Sequence, residues 1–186
     1  MKEKKFAIQH YSWETNGYEP KVEFTLNMAE NGFHMNIQVW ESDPLREKTE
    51  HFQFVHEDSC VEWFVNFAPE INDRYFNFEV NANGCMNVSF RKDRYDSISM
   101  AVEDVESLGI ETVIRENTWE VDYIVPFTLI KKYIPGYEYS EGMAIRTNFY
   151  KCGEKTAFPH YGMWNKADTP KPDFHRPEIF KEVVLD

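Results

Sequence analysis

Residues 21–40 read KVEFTLNMAENGFHMNIQVW, and this stretch decides the fold. Apolar side chains alternate with polar ones over residues 22–28 and again over residues 33–39, on either side of Asn31-Gly32. A period of two is typical of strands with one buried face, and an Asn-Gly pair is typical of a positive-φ hairpin turn. The stretch therefore predicts a β-hairpin. Its reverse face carries His34, Asn36, Gln38 and Trp40.

Three more alternating segments follow a loop around Pro44. They read VEWFVNF (61–67), YFNFEVN (75–81) and, after Asn83-Gly84, CMNVSFR (85–91). Together they predict a three-stranded meander with one apolar and one polar face. The polar face carries Glu62, Glu79 and Asn81, and we expect it to be exposed to water and to form a binding surface.

The rest of the chain continues the pattern less regularly. Residues 91–117 predict only a polar loop and a strand near Thr112 to Arg115. A strand ending at Pro126, a short helix over residues 127–135, a strand over 142–151 and a last strand over 181–185 follow. Residues 152–180 are rich in proline and aromatic rings and predict a loop over the sheet. The chain thus reads as a single domain, residues 1–186, with an all-β antiparallel β-sandwich of jelly-roll or Greek-key type and one short helix.

The composition restricts the class of partner. Lys and Arg number 20 against 32 Asp and Glu, which gives a formal net charge of −12. Such a field repels phosphate backbones and anionic lipid, so nucleic acid and membrane surfaces are not expected partners. Phe, Tyr and Trp make up 16% of the chain. Trp63 and Trp119 fall on apolar faces and are predicted to lie in the core.

The N-terminus MKEKKFAIQHYSW has no apolar signal segment, and Cys60, Cys85 and Cys152 form no CxxC pair. The sequence as it stands therefore predicts a cytoplasmic protein with reduced thiols, and an extracellular one if a leader has been removed.

The order of six motifs points to a family. The motifs are DSCVEWFV, YFNFEVNANG, TWEVDYIVPF, RTNFYKC, HYGMW and FHRPEIF. In this order and spacing they resemble the carbohydrate-binding module family 9-like (CBM9-like) domains, from about Val22 to the C-terminus. The resemblance implies a β-sandwich that binds saccharides without transforming them. In the best-known members two tryptophans sandwich a terminal sugar ring, while charged and amide side chains bind its hydroxyl groups.

The resemblance assigns some of these roles to residues here. Trp164 corresponds to the later aromatic wall. The earlier wall lies just before DSCVE, where the sequence offers His56 or Phe54 and no tryptophan, and Trp40 is a further candidate. Acceptors and donors for sugar hydroxyls come from a set of polar strand residues: Glu62, Asn81, Arg146 and Asn148. Alternatively, Glu62 and Arg146 pair with each other across the sheet and Asn81 only caps a turn.

Three functions other than saccharide binding are alternatives: enzyme activity, haem binding and protein interaction. Glu62 and Glu79 on adjacent strands would have the separation of a retaining glycosidase pair, but no other catalytic constellation accompanies them, so we expect no enzyme activity. Haem binding through a Met and a His, and a protein-interaction role with an enzyme or other protein partner, are alternatives on the same sandwich. We expect no cofactor. A structural calcium ion stays open for so acidic a chain, with no ligand assigned.

Overall fold

The alternating segments form strands in the computed structural model, which describes residues 1–186. The strands are β1 (Lys4–Ala7), β2 (His10–Tyr11), β3 (Val22–Ala29), β4 (Gly32–Val39), β5 (Cys60–Asn66), β6 (Tyr75–Asn81), β7 (Met86–Arg91), β8 (Ser97–Ser99), β9 (Glu111–Ile114), β10 (Trp119–Pro126), β11 (Ala144–Cys152), β12 (Tyr161–Met163) and β13 (Lys181–Val184). The strand near Thr112 is confirmed as β9.

Two short helices interrupt the strands, α1 (Val102–Glu106) and α2 (Phe127–Tyr133). Only α2 was predicted, so the expectation of one helix is wrong. The five residues of α1 are too few to show a helical period, and α1 and β8 both lie where the sequence predicted a polar loop. Neither helix is long and apolar enough to cross a lipid bilayer.

The strands form two antiparallel sheets. The smaller sheet has the order β1-β3-β4-β10-β9, and the larger has the order β2-β12-β11-β5-β6-β7-β8. β13 also pairs with β11, along residues 144–147, and continues the edge on which β12 pairs with residues 150–152. The pairs β4 with β10 and β5 with β11 join segments far apart in sequence, and this arrangement confirms the predicted sandwich.

The predicted hairpin forms with a different turn. β3 and β4 pair from Val22 with Val39 to Ala29 with Gly32, so the turn consists of Glu30 and Asn31. No positive φ occurs in this turn. Gly32 is required for another reason, because a Cβ there would lie 2.2 Å from the backbone oxygen of Val125 on β10.

A cluster of 34 buried residues, which includes Trp63 and Trp119, fills the space between the sheets as predicted. The outer face of the larger sheet is also covered. A second cluster of 11 buried residues, the outer cluster, lies there and includes Phe174 and Phe180 of the tail. Every residue of β5 and β6 is buried, so the expected water-exposed face is wrong. The tail was predicted to be a loop over the sheet, and it covers much of this face, with one cavity left at each end.

Candidate functional site

The outer face of β5, β6 and β7 opens at one end into a cavity of about 260 Å³. Because successive strand residues point to opposite faces, Glu62, Glu79, Asn87 and Arg91 all project outward here. The tail forms the opposite wall. The lining residues are Phe54, His56, Glu62, Glu79, Asn87, Arg91, Arg94, Cys152, Glu154, Tyr161, Pro172, Asp173, Phe174 and His175.

Two carboxyl groups form the floor of the cavity. Glu62 and Glu79 lie on adjacent strands, β5 and β6, as the sequence predicted; the structure makes them register partners, and they are only 3% and 5% exposed. The Glu79 carboxylate accepts hydrogen bonds from Asn77 Nδ2 at 2.6 Å and from Asn87 Nδ2 at 3.0 Å. Glu62 accepts one, at Oε1, from Cys152 Sγ at 3.1 Å. Glu62 Oε2 therefore keeps its acceptor capacity for a ligand.

Burial changes the protonation of both groups. It raises the pKa of Glu62 well above its ordinary value, and the nearby Cys152 and Glu79 raise it further. Burial also raises the pKa of Glu79, although the hydrogen bond from Asn87 and the charge of His56 oppose the shift. A polar ligand that donates hydrogen bonds to these carboxylates would compensate for the lost hydration.

Basic and aromatic groups line the other sides. Arg91 Nε donates to Asn77 Oδ1 at 3.0 Å, and Arg94 Nη2 binds Asp173 at 2.7 Å. His175 lies against Phe64, with ring centroids 5.1 Å apart, and its Nδ1 is 2.9 Å from the Tyr75 hydroxyl. Burial and the charge of Arg91 lower the pKa of His175 to about 3, so its ring is neutral at pH 7.

An aromatic rim stands at the mouth. Phe54 is 66% exposed and precedes the 3-10 turn Val55–Glu57. The His56 ring lies 5.7 Å from the Phe54 ring, and its Nδ1 is 3.9 Å from Glu79 Oε2. Large exposed rings beside a polar cavity are typical of a surface that stacks on a ligand.

Of the predicted site residues, only Glu62 and His56 line this cavity, together with Phe54. The prediction that Trp164, Glu62 and Arg146 share one hollow is wrong. Trp164 packs edge-on against Phe6 and Phe149, with centroids 5.0 and 5.6 Å away, on the side of the sheet that faces the core.

Arg146 lies at the other end of the same outer face. It is the register partner of Asn66, and its guanidinium donates to the backbone oxygens of Pro177 and Phe180 at 3.4 and 3.3 Å. The ion pair between Glu62 and Arg146, weighed as an alternative, is therefore absent.

The two amides predicted to bind sugar hydroxyls, Asn81 and Asn148, make hydrogen bonds within the protein instead. Asn148 Nδ2 donates to the backbone oxygen of Asn165 at 2.9 Å, and its Oδ1 accepts from Asn165 N at 2.9 Å. This pair of hydrogen bonds fastens the tail to β11. Asn81 bonds Lys48 O and Asp58 Oδ2 and accepts from the following turn, which is the capping role.

Trp40 lies outside the cavity as well. The Nζ atom of Lys21 is 3.9 Å above its ring. The indole lines a separate depression together with Tyr18 and Phe158.

Sequence reasoning missed most of the cavity lining. The alternation that places Glu62 and Glu79 on the polar face extends to β7 and could have found Asn87 and Arg91. Arg94, Asp173 and His175 come from segments without periodicity, so no pattern in the sequence places them here.

The sequence assigns no ligand residues for haem or calcium, and both alternatives stay predictions. One neighbouring His and Met, His160 and Met163, are engaged within the protein: His160 Nε2 is bound to Lys151 Nζ at 2.7 Å, and Met163 packs in the outer cluster. One buried carboxylate oxygen, Asp58 Oδ1, has no partner. Its neighbours, Asp58 Oδ2 and Asn81 Oδ1, already accept two hydrogen bonds each. These residues do not supply the six to eight free oxygens that Ca²⁺ takes.

Comparison with known proteins identifies relatives. The family model described as carbohydrate-binding family 9 matches residues 1–185. A search of curated proteins found no match. A candidate carbohydrate-binding protein from Bacteroides uniformis ATCC 8492 has a similar structure, with a TM-score of 0.84 and 24% identity over 98% of this chain and 86% of that one.

Two structures of a family 9 carbohydrate-binding module from Caldicellulosiruptor kristjanssonii are also similar. The complex with glucose has a TM-score of 0.66 and 14% identity, over 98% of this chain and 84% of that one. The complex with cellotriose has a TM-score of 0.66 and 13% identity, over 98% and 82%. At these identities the likeness of structures supports the fold.

Proposed function

The chain belongs to carbohydrate-binding family 9, and we propose that its cavity binds the end of a saccharide without transforming it. The observation that carries the proposal is the meeting, in one small cavity, of an exposed ring, a carboxylate with a free oxygen, and an arginine: Phe54, Glu62 and Arg91. The relatives whose complexes contain glucose and cellotriose give this proposal its ligand class.

The chemistry of a pyranose matches these groups. A sugar presents apolar C–H faces to a ring and hydroxyl groups that both donate and accept hydrogen bonds. Phe54 offers a ring face, Glu62 and Glu79 accept, and Asn87 and Arg91 donate. The volume of about 260 Å³ is below the range of about 300–1,000 Å³ usual for drug-sized ligands. A site of this size suits one terminal ring better than the middle of a chain.

The mode of recognition differs from a sandwich between two tryptophans. Trp164 packs toward the core, so the rings available at the cavity are Phe54 with His56 on one side and Tyr161 with Phe174 on the other. Phenyl and imidazole rings give less stacking area than indoles. We expect affinities in the millimolar to micromolar range, about −4 to −8 kcal/mol.

The family match favours binding over glycoside hydrolysis, because the matching model describes carbohydrate binding. A retaining glycosidase needs one carboxyl protonated as acid and the other ionised as nucleophile. Burial raises the pKa of both Glu62 and Glu79, and the hydrogen bond from Asn87 opposes the shift at Glu79. A pair of buried acceptors serves a bound ligand, and no further catalytic group is assigned to them.

Truncation of the rim tests the proposal. Phe54→Ala is expected to weaken saccharide binding by about 1–2 kcal/mol, roughly 5- to 30-fold in Kd, because the phenyl ring no longer covers the apolar face of the sugar. The fold should tolerate the change, since Phe54 is 66% exposed. Calorimetric titration of a glycan panel that includes glucose and cellotriose measures the effect.

Phe158→Ala is the matched control, because Phe158 is 55% exposed and lies outside the cavity. It should bind as the wild type does. Binding that is indifferent to Phe54→Ala but lost in Phe158→Ala would move the site to the depression beside Trp40. No binding to any member of the panel would reject the proposed function.

A further inference from the structure

Below the floor of the cavity lies a cluster of sulfur and oxygen atoms. Cys60 and Cys152 are register partners on β5 and β11, and both side chains lie in the outer cluster. Glu62 follows Cys60 by two residues on the same strand and so projects from the same face. One ligand atom of each residue lies within 4.8 Å of the other two.

These three groups have no cation among them. Lys151 precedes Cys152 on β11, and alternation directs its side chain to the opposite face, where it pairs with Glu41. Glu79 and Glu154 add negative charge on the cavity side. Two thiols and a carboxyl thus lie together in the outer cluster with no cationic side chain among them.

Two cysteines and a glutamate at this spacing are a donor set that can hold a divalent metal ion. Thiolate ligands select zinc-like ions over Ca²⁺ and Mg²⁺, which prefer oxygen alone. A tetrahedral ion with metal–sulfur bonds of about 2.3 Å holds two sulfur atoms about 3.8 Å apart. Atoms that already lie within 4.8 Å of one another need only small side-chain rotations to reach this geometry.

We propose that Cys60, Glu62 and Cys152 bind a thiophilic divalent ion of the zinc class. The three protein ligands leave a fourth position, which faces the cavity because Glu62 and Cys152 line it. Three ligands with one open position are characteristic of metal sites that exchange a water or a ligand. Each ligand loses its proton on binding, so affinity rises with pH. The metal site shares Glu62 and the cavity with the proposed saccharide site, but metal binding needs no sugar and the saccharide proposal needs no metal.

Cobalt titration tests the site. Reduced, chelator-treated full-length protein is titrated with Co²⁺, and absorption is followed for thiolate-to-cobalt charge transfer and for the visible bands of tetrahedral cobalt. We expect one equivalent to bind and excess Zn²⁺ to remove the bands. Cys60→Ser and Cys152→Ser should each reduce the charge-transfer band, because each variant removes one of the two thiolates. Cys85→Ser should keep it, because Cys85 is a buried thiol outside the trio.

A second measurement uses wild-type protein and does not depend on folded variants. Slow iodoacetamide modification is mapped by mass spectrometry with and without Zn²⁺, in the absence of sugar. Zn²⁺ should protect Cys60 and Cys152 and leave the rate at Cys85 unchanged. Three results would overturn the proposal: no charge-transfer band in the wild type, a band of full intensity in both serine variants of the trio, or modification of Cys60 and Cys152 that Zn²⁺ does not slow. A failure of saccharide binding would change none of these readouts.

Discussion

Lys151→Met is expected to destabilise the protein by about 3–5 kcal/mol at pH 7, because it leaves a buried carboxylate without its counter-charge. Lys151 is fully buried, and its Nζ lies 3.3 Å from Glu41 Oε2. The lysine therefore joins the larger sheet to the end of β4 in the smaller one. Methionine replaces the stem of the lysine but not its charge.

The surrounding hydrogen bonds show why the charge matters. Lys151 Nζ donates to His160 Nε2 at 2.7 Å and to Cys152 O at 3.0 Å. Glu41 accepts from Trp119 Nε1 at 2.8 Å and from Tyr18 OH at 3.2 Å. Burial alone would raise the pKa of Glu41, but the Lys151 ammonium and the Trp119 N–H bring it below the ordinary value.

The effect has a pH dependence of known sign. In the wild type the depressed pKa of Glu41 means that its stabilising contribution is present above the unfolded pKa and is lost as the pH falls. In Lys151→Met the buried carboxyl no longer meets a cation, so its pKa should rise and protonation relieves the penalty. The difference from wild type should therefore be larger at pH 7 than at about pH 4 to 5.

Urea unfolding followed by tryptophan fluorescence measures the change. Lys155→Met is the matched control, since Lys155 has a side chain 63% exposed and pairs with Glu57 at the surface. It should leave the midpoint nearly unchanged. The double variant Lys151→Met/Glu41→Gln removes both charges and should recover much of the loss. Equal midpoints for Lys151→Met and Lys155→Met would contradict the argument.

The sequence predicted the strands and their faces well, because both depend on local alternation. The polar faces predicted for β5 and β6 point to the same side in the structure, and Glu62 and Glu79 are register partners. Alternation says which side a residue faces but not what covers that side. Residues 165–180 lack any period, yet they cover the outer face and place Phe174 and His175 in the cavity wall. Glu62 was therefore read as exposed although it is buried.

Distances along a strand explain the other error. Glu62 and Arg146 face the same way, but their register partners are Tyr150 and Asn66. The two side chains thus stand four residues apart along the sheet, about 13 Å at the usual rise per residue. Strand order and register, which a single sequence does not define, decide whether two outward residues meet. Trp164 is separated from the cavity for a similar reason, since it lies past the end of β12 and turns toward the core.

Glu62→Gln is expected to change binding and stability in opposite directions. The substitution keeps the shape of the side chain and replaces one acceptor oxygen by an NH2 group, which only donates. If Glu62 Oε2 accepts from a sugar hydroxyl, losing that hydrogen bond should weaken binding by about 1–3 kcal/mol, or about 5- to 150-fold in Kd. A titration with chelator present keeps metal out of the measurement.

The stability change follows from the raised pKa of Glu62. A carboxyl whose folded pKa lies above its unfolded value contributes stability below the unfolded pKa, about 4.3, and loses it as the pH rises through the folded pKa. A glutamine at this position would not titrate, so Glu62→Gln should be more stable than wild type at pH 8 and nearly equal to it at about pH 4. Residues that bind ligands are commonly kept at such a cost to stability.

Glu79→Gln is the matched comparison for the stability change of Glu62→Gln. Both oxygens of Glu79 accept from amide donors, Asn77 Nδ2 and Asn87 Nδ2. A glutamine there would set an NH2 group against another donor, so its gain at pH 8 should be smaller than that of Glu62→Gln. Glu62 has only the Cys152 thiol as a partner and meets no such conflict. Unchanged sugar binding in Glu62→Gln, or a loss of stability at pH 8, would show that this carboxylate is structural rather than an acceptor held ready for a ligand.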